Sequence, residues 1–244
     1  NYQGETEDYT VNLIHSGCIL PLAPNFNDLA THDDGSCIPR TAYIPDTELL
    51  NYLQTEYPDV IVNDSLNIEQ AHLITSININ LDIDGVPTFD ISSFDGLESC
   101  SYIEELRIEG SSVSDLSPLY SNTGIRWLTI QGGNITSETI NSLLSIQTSI
   151  EGIEIQDNSS IGELNLLLPN HFMDMIIIVN TEIESINLMV DGLTYIDIIG
   201  NNNLQTINGI GDFDIHTMLQ IAENESLTSI SGSTLSDKTM VPLK

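Results

Sequence analysis

The amino-acid sequence predicts an α/β-type solenoid, in which repeated units stack to form a parallel β-sheet with irregular return legs. Two observations predict this fold. The pattern apolar-x-x-apolar-x-apolar recurs from residue 74 onward. The apolar residues are mainly Ile and Leu with 6% aromatics, a composition that favours stacked aliphatic layers. A chain of 244 residues with 40% hydrophobic content is large enough to bury a continuous core.

Composition and pattern divide the chain into four segments. These are an acidic N-terminal arm (1–16), a cysteine-closed module rich in Asn and Asp (17–40), a helical cap (41–73) and the repeats (74–244). Within the cap, the stretch 46-DTELLNYLQTEY-57 predicts a helix with Asp46 as its N-cap and Pro58 as its end.

Cysteine usage indicates where the protein works. Cys18 and Cys37 flank a short polar loop and are predicted to be paired, whereas Cys100 is expected to be buried and free. A disulfide indicates an oxidising compartment. Since neither a signal peptide nor a membrane-spanning run is visible, the sequence is interpreted as the mature chain of a secreted or cell-surface protein.

The cysteine-closed module also predicts a metal site. Its hard oxygen donors fall within ten residues, beside Gly35, which allows a tight turn. Calcium takes six to eight such oxygens. The alternative is an acid-rich turn with local side-chain caps and no ion. The candidate calcium ligands are Asn25, Asn27, Asp28, Asp33 and Asp34.

The repeats share one frame. The last apolar position of each unit is isoleucine, at Ile79, Ile108, Ile130, Ile155, Ile178, Ile198 and Ile221. Three residues later a turn-forming residue often occurs, at Asp82, Ser111, Gly133, Asn158, Thr181, Asn201 and Asn224. Each unit is therefore a strand, a turn and a return leg, and stacked units bury a continuous aliphatic column.

This unit resembles the leucine-rich repeat, and 113-VSDLSPL-119 looks like the return leg of internalin-type repeats. The sequence 17-GCILPLAPNFNDLATHDDGSC-37 followed by 43-YIPDTELLNYL-53 resembles a module that precedes leucine-rich repeats in secreted proteins of gliding marine bacteria. The resemblance implies a repeat fold, which by itself does not specify a function.

Side chains between the apolar strand positions are predicted to share one sheet face. Strands two to four present mostly acids beside Arg126 and Trp127, and strands five to seven present mostly apolar residues. The predicted partner-binding residues are Arg126, Trp127, Met175, Ile177, Val179, Tyr195, Ile199 and Met218.

Alternatives stay open for this face. The apolar half could be covered by the N-terminal arm or the C-terminal tail, or 175-MIIIV-179 could be buried on both sides. Trp127 could be a binding anchor or could pack on a neighbouring strand.

Charge excludes several functions. Thirty-six acidic and five basic residues give a net charge of −31, so nucleic acid and anionic lipid would be repelled. No catalytic motif is present, which predicts a non-enzymatic protein.

Two functions remain from the sequence. One is adhesion, in which the sheet face binds a protein or glycan on another surface. The other is a structural subunit of an extracellular filament or appendage, which assembles with copies of itself through the N-terminal arm and the apolar repeat surface. The last residues, 237-DKTMVPLK-244, carry no evident polar cap, which favours the second function slightly.

Overall fold

The computed structural model describes residues 14–81, 84–209 and 218–232, and of residues 168–172 and 191 it describes the backbone alone. Most of the predicted N-terminal arm, the turn position Asp82 and the chain after residue 232 lie outside the described residues. In the described part, no helix has the length and apolar character needed to cross a membrane.

The cysteine-closed module contains a short parallel strand pair, β1 (Ser16–Gly17) and β2 (His32–Asp33). The Cys18–Cys37 disulfide closes it, as predicted. Cys100 is free and buried, also as predicted, and burial raises the pKa of its thiol to about 12.

The cap consists of the elements β3 (Thr41–Tyr43), α1 (Thr47–Glu56), β4 (Ile61–Val62) and β5 (Ser65–Asn67), with 3-10 helices at Pro58–Val60 and Ile68–Leu73. Helix α1 confirms the prediction for this stretch. The Asp46 carboxylate accepts hydrogen bonds from the backbone N–H groups of Glu48 and Leu49, at 2.9 and 3.0 Å. These bonds satisfy N–H groups that lack partners inside the helix.

The solenoid comes next in chain order. Its elements are β6 (Ser76–Ile79), β7 (Glu105–Glu109), β8 (Trp127–Gln131), α2 (Ser137–Leu144), β9 (Gly152–Gln156), β10 (Glu163–Phe172), β11 (Met175–Val179), β12 (Ser185–Asp191), β13 (Tyr195–Ile199), β14 (Thr206–Asn208), β15 (Met218–Ala222) and β16 (Ser229–Ser231), with a 3-10 helix at Ser117–Leu119.

Seven of these strands form one parallel sheet in the order β15-β13-β11-β9-β8-β7-β6. The seven isoleucines of the repeat frame pair in register across all seven strands. From Ile79 to Ile198 they are at most 1% exposed, and Ile221 on β15, the edge strand of this sheet, is half-buried. The predicted aliphatic column is therefore confirmed.

The return legs are more regular than the sequence predicts. In the C-terminal half they form a second parallel sheet, in the order β10-β12-β14-β16, because their apolar residues alternate with polar ones. The leg after β8 instead forms α2, where Ile140, Leu143 and Leu144 have helical spacing and are buried. Thr136 caps this helix at its N-terminus.

The predicted turn positions satisfy buried backbone groups. The side-chain amides of Asn158, Asn201 and Asn224 each donate to a carbonyl oxygen of the preceding unit, at 2.8 to 2.9 Å. Asn201 and Asn158 are at most 1% exposed. Because unpaired buried backbone groups are costly, these amides hold consecutive turns together.

The cap covers the first edge of the seven-stranded sheet. The Tyr57 hydroxyl donates to the carbonyl oxygen of Ser76 at 2.7 Å, and the Tyr52 hydroxyl accepts from the backbone N–H of Asn78 at 2.9 Å. Burial raises the pKa of Tyr52 to about 12. These contacts pair backbone groups that an edge strand would otherwise leave open.

Candidate binding surface

The outward side of the seven-stranded sheet carries its side chains in rows. Along β11 and β13, fully buried and half-buried residues alternate, as expected of a sheet with one face on the core. Strand register places every second residue of one strand directly beside its counterpart on the next. The outer face therefore consists of three parallel rows that run across the strands.

The first row carries four of the eight predicted partner-binding residues. We call it the aromatic row: Trp127, Gly152, Met175, Tyr195 and Met218, on β8, β9, β11, β13 and β15. Trp127 is 38% exposed and Met218 is 66% exposed, whereas Met175 and Tyr195 are half-buried. Four large side chains from four strands thus lie in one line on the outer face.

Trp127 packs on the neighbouring strand and is also open to a partner. A Cβ atom built at Gly152 would lie 2.2 Å from Cζ3 of the Trp127 ring, so only glycine leaves room for the indole there. The exposed remainder of the ring faces outward. Trp127 therefore packs on the neighbouring strand, as one of the two alternatives predicts, and its role as a binding anchor stays a prediction.

Arg126 precedes β8 and is held by carboxylates. Its guanidinium forms two hydrogen bonds with Glu151, both at 2.8 Å, and an ion pair with Glu104 at 3.7 Å. The hydrogen bond to Glu151 and the charge of that residue raise the pKa of Arg126. An exposed pair of this kind contributes little to stability, but it fixes the orientation of the guanidinium at the edge of the aromatic row.

The second row is the carboxylate row: Arg107, Thr129, Glu154, Ile177, Asp197 and Gln220. Arg107 is paired with Glu109 at 2.6 Å. Glu154 accepts from Thr129 at 3.4 Å and from Gln156. Asp197 and Thr129 were not among the residues predicted from the sequence, although both occupy the same position of the repeat frame as Ile177.

Asp197 has an unusual environment. One carboxylate oxygen accepts from the Tyr195 hydroxyl at 3.4 Å, and the other is withdrawn from solvent without a hydrogen-bond partner. The charge of Asp197, with smaller contributions from burial and the hydrogen bond, raises the pKa of Tyr195. An unpaired buried carboxylate oxygen is costly, so its retention calls for a physical reason.

The third row is mixed. It runs Glu109, Gln131, Gln156, Val179, Ile199 and Ala222. Val179, Ile199 and, in the second row, Ile177 are half-buried, whereas the inward Ile176 and Ile178 are fully buried. Strand β11 is therefore not buried to the same extent on its two sides in the described part of the chain.

Four of the five predicted calcium ligands, all but Asp28, lie in a network of local hydrogen bonds. Asn27, Asp33 and Asp34 each accept from the backbone N–H two residues further on, at 3.0 to 3.1 Å. Asn25 bridges residues 36 and 38 through both of its side-chain atoms. Hydrogen bonds from Ser36 lower the pKa of Asp34.

The donors of this loop have the chemistry that calcium prefers. Within residues 14–81, 84–209 and 218–232, no three His, Cys, Asp or Glu side chains are grouped to hold a metal ion. Calcium binding by Asn25, Asn27, Asp28, Asp33 and Asp34 stays a prediction.

The chain is similar to known proteins in structure and not in sequence. No protein-family model and no curated protein sequence matches it. Solved structures do match, among them an internalin of Listeria monocytogenes with 16% sequence identity, which aligns over 78% of this chain and 69% of its own with a TM-score of 0.42. The fold assignment rests on the strand register described above.

Proposed function

We propose that this protein is a non-enzymatic extracellular binding module that holds a protein or glycan partner on the outer face of its seven-stranded sheet. The observation that carries the proposal is the aromatic row. Aromatic and methionine side chains are enriched at the centres of interfaces. The exposed Trp127 and Met218, with the half-buried Met175 and Tyr195 between them, form a longer apolar line than isolated surface residues would.

The extracellular role rests on a different observation. The Cys18–Cys37 disulfide is of the kind that forms and persists in oxidising environments. The net charge of −31 agrees with a surface that works in saline surroundings, where ions screen its self-repulsion.

An array experiment tests the proposal. The protein is applied to an array of immobilised glycans and to a display library of random peptides, and selected binders are measured again with Trp127→Ala and Tyr195→Ala. We expect each variant to lose at least about tenfold in affinity, as anchor residues do.

Tyr43→Ala is the matched control, because Tyr43 lies on β3 of the cap and is 74% exposed. It should bind as the unmodified protein does. If all three variants bind the selected partners equally well, or if neither the array nor the library yields a binder, the sheet face is not the binding site.

A second candidate function is self-assembly into an extracellular filament, and a separate observation favours it. The cysteine-closed module exposes many apolar side chains although it has few buried ones of its own. The exposed residues are Ile19, Leu20, Leu22, Phe26, Leu29 and Ile38. Exposed apolar surface of this kind is typical of interaction sites.

Sedimentation velocity at low and high salt, with and without calcium, tests self-assembly. High salt should promote association, because it screens the repulsion between acidic copies. The double variant Leu22→Ser/Leu29→Ser should stay monomeric where the unmodified protein associates. A monomer under every condition contradicts this candidate.

A further inference from the structure

We propose that the partner on this face is a basic protein segment, whose Lys or Arg side chains pair with Glu154 and Asp197 while its apolar atoms lie on the aromatic row. The inference rests on the proposed function and adds the chemistry of the partner. Three observations carry it: unmatched carboxylates, their apolar surroundings and the shortage of cations in the chain itself.

The first observation is the charge balance of the carboxylate row. Arg107 is matched by Glu109, and Arg126 lies between Glu151 and Glu104. Among the described residues, these two arginines and Arg40 are the cations that form ion pairs. Glu154 and Asp197 take part in none of these pairs, so these two carboxylates have no cation beside them in the described part of the chain.

The second observation is the position of these two carboxylates. Glu154 on β9 and Asp197 on β13 lie in the same row with Ile177 of β11 between them. Two strand spacings separate them, which is about 10 Å. The aromatic row lies on one side, and Val179 and Ile199 lie on the other.

Both carboxylates are half-buried among these neighbours. A charge that is partly withdrawn from water interacts more strongly with a counter-charge than a fully exposed one does. Charge-assisted hydrogen bonds are also the stronger class. Asp197 in particular has one oxygen without any partner, so a rotation of this side chain toward a cationic N–H donor would satisfy an atom that the free protein leaves unpaired.

The third observation argues against a second copy as the source of cations. The chain has five basic residues against thirty-six acidic ones. Arg40, Arg107 and Arg126 are already in ion pairs. The remaining two, Lys238 and Lys244, lie outside the described residues. Two copies facing each other through this sheet would mainly oppose acids with acids.

Charge also selects between other partners. An anionic glycan would be repelled by the field of a chain with net charge −31. A neutral glycan could stack on Trp127 but would bring no charge to Glu154 and Asp197. A basic segment satisfies both the rings and the carboxylates, because Arg and Lys carry apolar stems and a cationic end that also binds aromatic faces. The same field would accelerate its association.

The single tryptophan makes the test site-specific, since Trp127 fluorescence reports on this face alone. A decapeptide of alternating arginine and leucine is titrated into the protein at physiological ionic strength. The same peptide with glutamine in place of arginine serves as the neutral probe. We expect the arginine peptide to change Trp127 fluorescence saturably and the glutamine peptide to leave it unchanged.

Two double variants, each of which removes two negative charges, distinguish binding at this site from general attraction of the peptide to the acidic surface. Glu154→Gln/Asp197→Asn should weaken binding of the arginine peptide by about tenfold or more. Glu56→Gln/Asp59→Asn removes two exposed charges from the cap, and it should leave the affinity within about twofold, as distant surface charges do. Circular dichroism checks that both variants are folded.

Three results would overturn the inference: equal weakening by the two double variants, equal binding of the two peptides, or no response of Trp127 to the arginine peptide. These results leave the proposed function standing if an array glycan or an uncharged peptide still binds in a Trp127-dependent way. A failure of the whole binding face is distinguishable, because then no probe of any class would depend on Trp127 or Tyr195.

Discussion

At the scale of single residues, Asn201 shows how the turn positions stabilise the stack. Its side-chain oxygen accepts from both the backbone N–H and the hydroxyl of Thr181, at 2.9 and 2.7 Å, while its amide donates to the carbonyl oxygen of Ile178. One buried side chain therefore completes the hydrogen bonding of two neighbouring units. A polar residue is retained inside the core because the backbone of the turn would otherwise lack partners.

Replacing Asn201 should therefore be costly. We expect Asn201→Ala to lower the free energy of unfolding by about 3 kcal/mol, because it leaves buried groups at Ile178 and Thr181 unpaired. Urea unfolding measures this. The exposed neighbour Asn202→Ala should change the free energy by less than about 0.5 kcal/mol, and equal effects of the two substitutions would contradict the role of the turn amide.

Gly152 is the second residue with a defined task, because it accommodates the Trp127 ring. Gly152→Ala should displace the indole, shift its fluorescence to longer wavelength and cost about 1 kcal/mol of stability through overpacking. Gly124→Ala is the control, since a Cβ there meets its nearest atom, Asn122 Oδ1, at 3.5 Å. An unchanged emission spectrum in Gly152→Ala would show that the ring does not lie there.

At the scale of elements, Asp46 links helix α1 to the repeats. One carboxylate oxygen caps the helix, and the other accepts from the backbone N–H groups of Ser92 and Ser93 and from the Ser92 hydroxyl, at 2.7 to 3.0 Å. Burial alone would raise the pKa of Asp46, but the hydrogen bonds from Leu49, Ser92 and Ser93 outweigh it and the pKa is lowered.

This linkage gives a pH-dependent prediction. Asp46→Ala should lower the free energy of unfolding by about 2 kcal/mol at neutral pH. Because folding lowers the pKa of Asp46, its contribution is present above the ordinary value of 3.8 and is lost as the pH falls through the folded value. The difference between Asp46→Ala and the unmodified protein should therefore shrink in acid, and urea unfolding at a series of pH values measures it. A difference that stays constant with pH would contradict the linkage.

The cysteine-closed module differs from the other elements because it adds no residue to the main core. The cluster of buried apolar residues begins at Ile44, whereas Cys18 and Ala23 are the buried apolar residues of the module. The disulfide restricts the unfolded freedom of this segment by about 3 kcal/mol. The stability of the module therefore depends on the bond and on local hydrogen bonds, whereas the repeats depend on their aliphatic column.

Removing the disulfide should unfold the module alone. In Cys18→Ser/Cys37→Ser we expect faster amide exchange across residues 16–37 and proteolysis within them, with an unchanged urea midpoint for the repeats. Cys100→Ser is the comparison variant, because it also replaces a cysteine by serine. Cys100 is buried, so we expect its replacement to lower the stability of the repeats. A lower midpoint in the double variant would show that the module supports the solenoid.

At the scale of the whole molecule, the net negative charge is the main electrostatic influence on stability. The 244-residue chain has a net charge of −31, so its acidic side chains repel one another. Salt screens this repulsion, and the screening length falls from about 10 Å at 0.1 M to about 3 Å at 1 M. We expect the thermal midpoint to rise with sodium chloride. A midpoint that falls or stays constant would contradict a destabilising role of the charge.

Calcium chloride at matched ionic strength distinguishes screening from binding in the same experiment. Two results would support the predicted calcium site: a further rise of the thermal midpoint in calcium chloride, or new protection of residues 17–40 from proteolysis. Either effect should be lost in Asp33→Asn/Asp34→Asn. Equal effects of the two salts would count against it.

The repeat frame and its local consequences could be read from the chain alone. The isoleucine positions, most of the outward residues, the turn positions, the Asp46 cap and the cysteine pairing follow from the sequence, because strand alternation and helix capping depend on residues close in sequence. Thr129 and Asp197 are outward residues that the sequence analysis missed. The return legs were not predicted in detail, since short apolar-polar alternation forms a sheet only when the preceding leg lies beside it.

Which outward residues meet could be learned only from the stacked structure. Trp127 and Gly152, or Glu154 and Asp197, are far apart in sequence, and their proximity depends on strand register, which is set by how the legs of different length stack. The same holds for the contact of Asp46 with Ser92 and for the unpaired oxygen of Asp197. The repeat pattern fixes which side chains face outward, but the stacking of the units fixes their neighbours and hence the chemistry of the face.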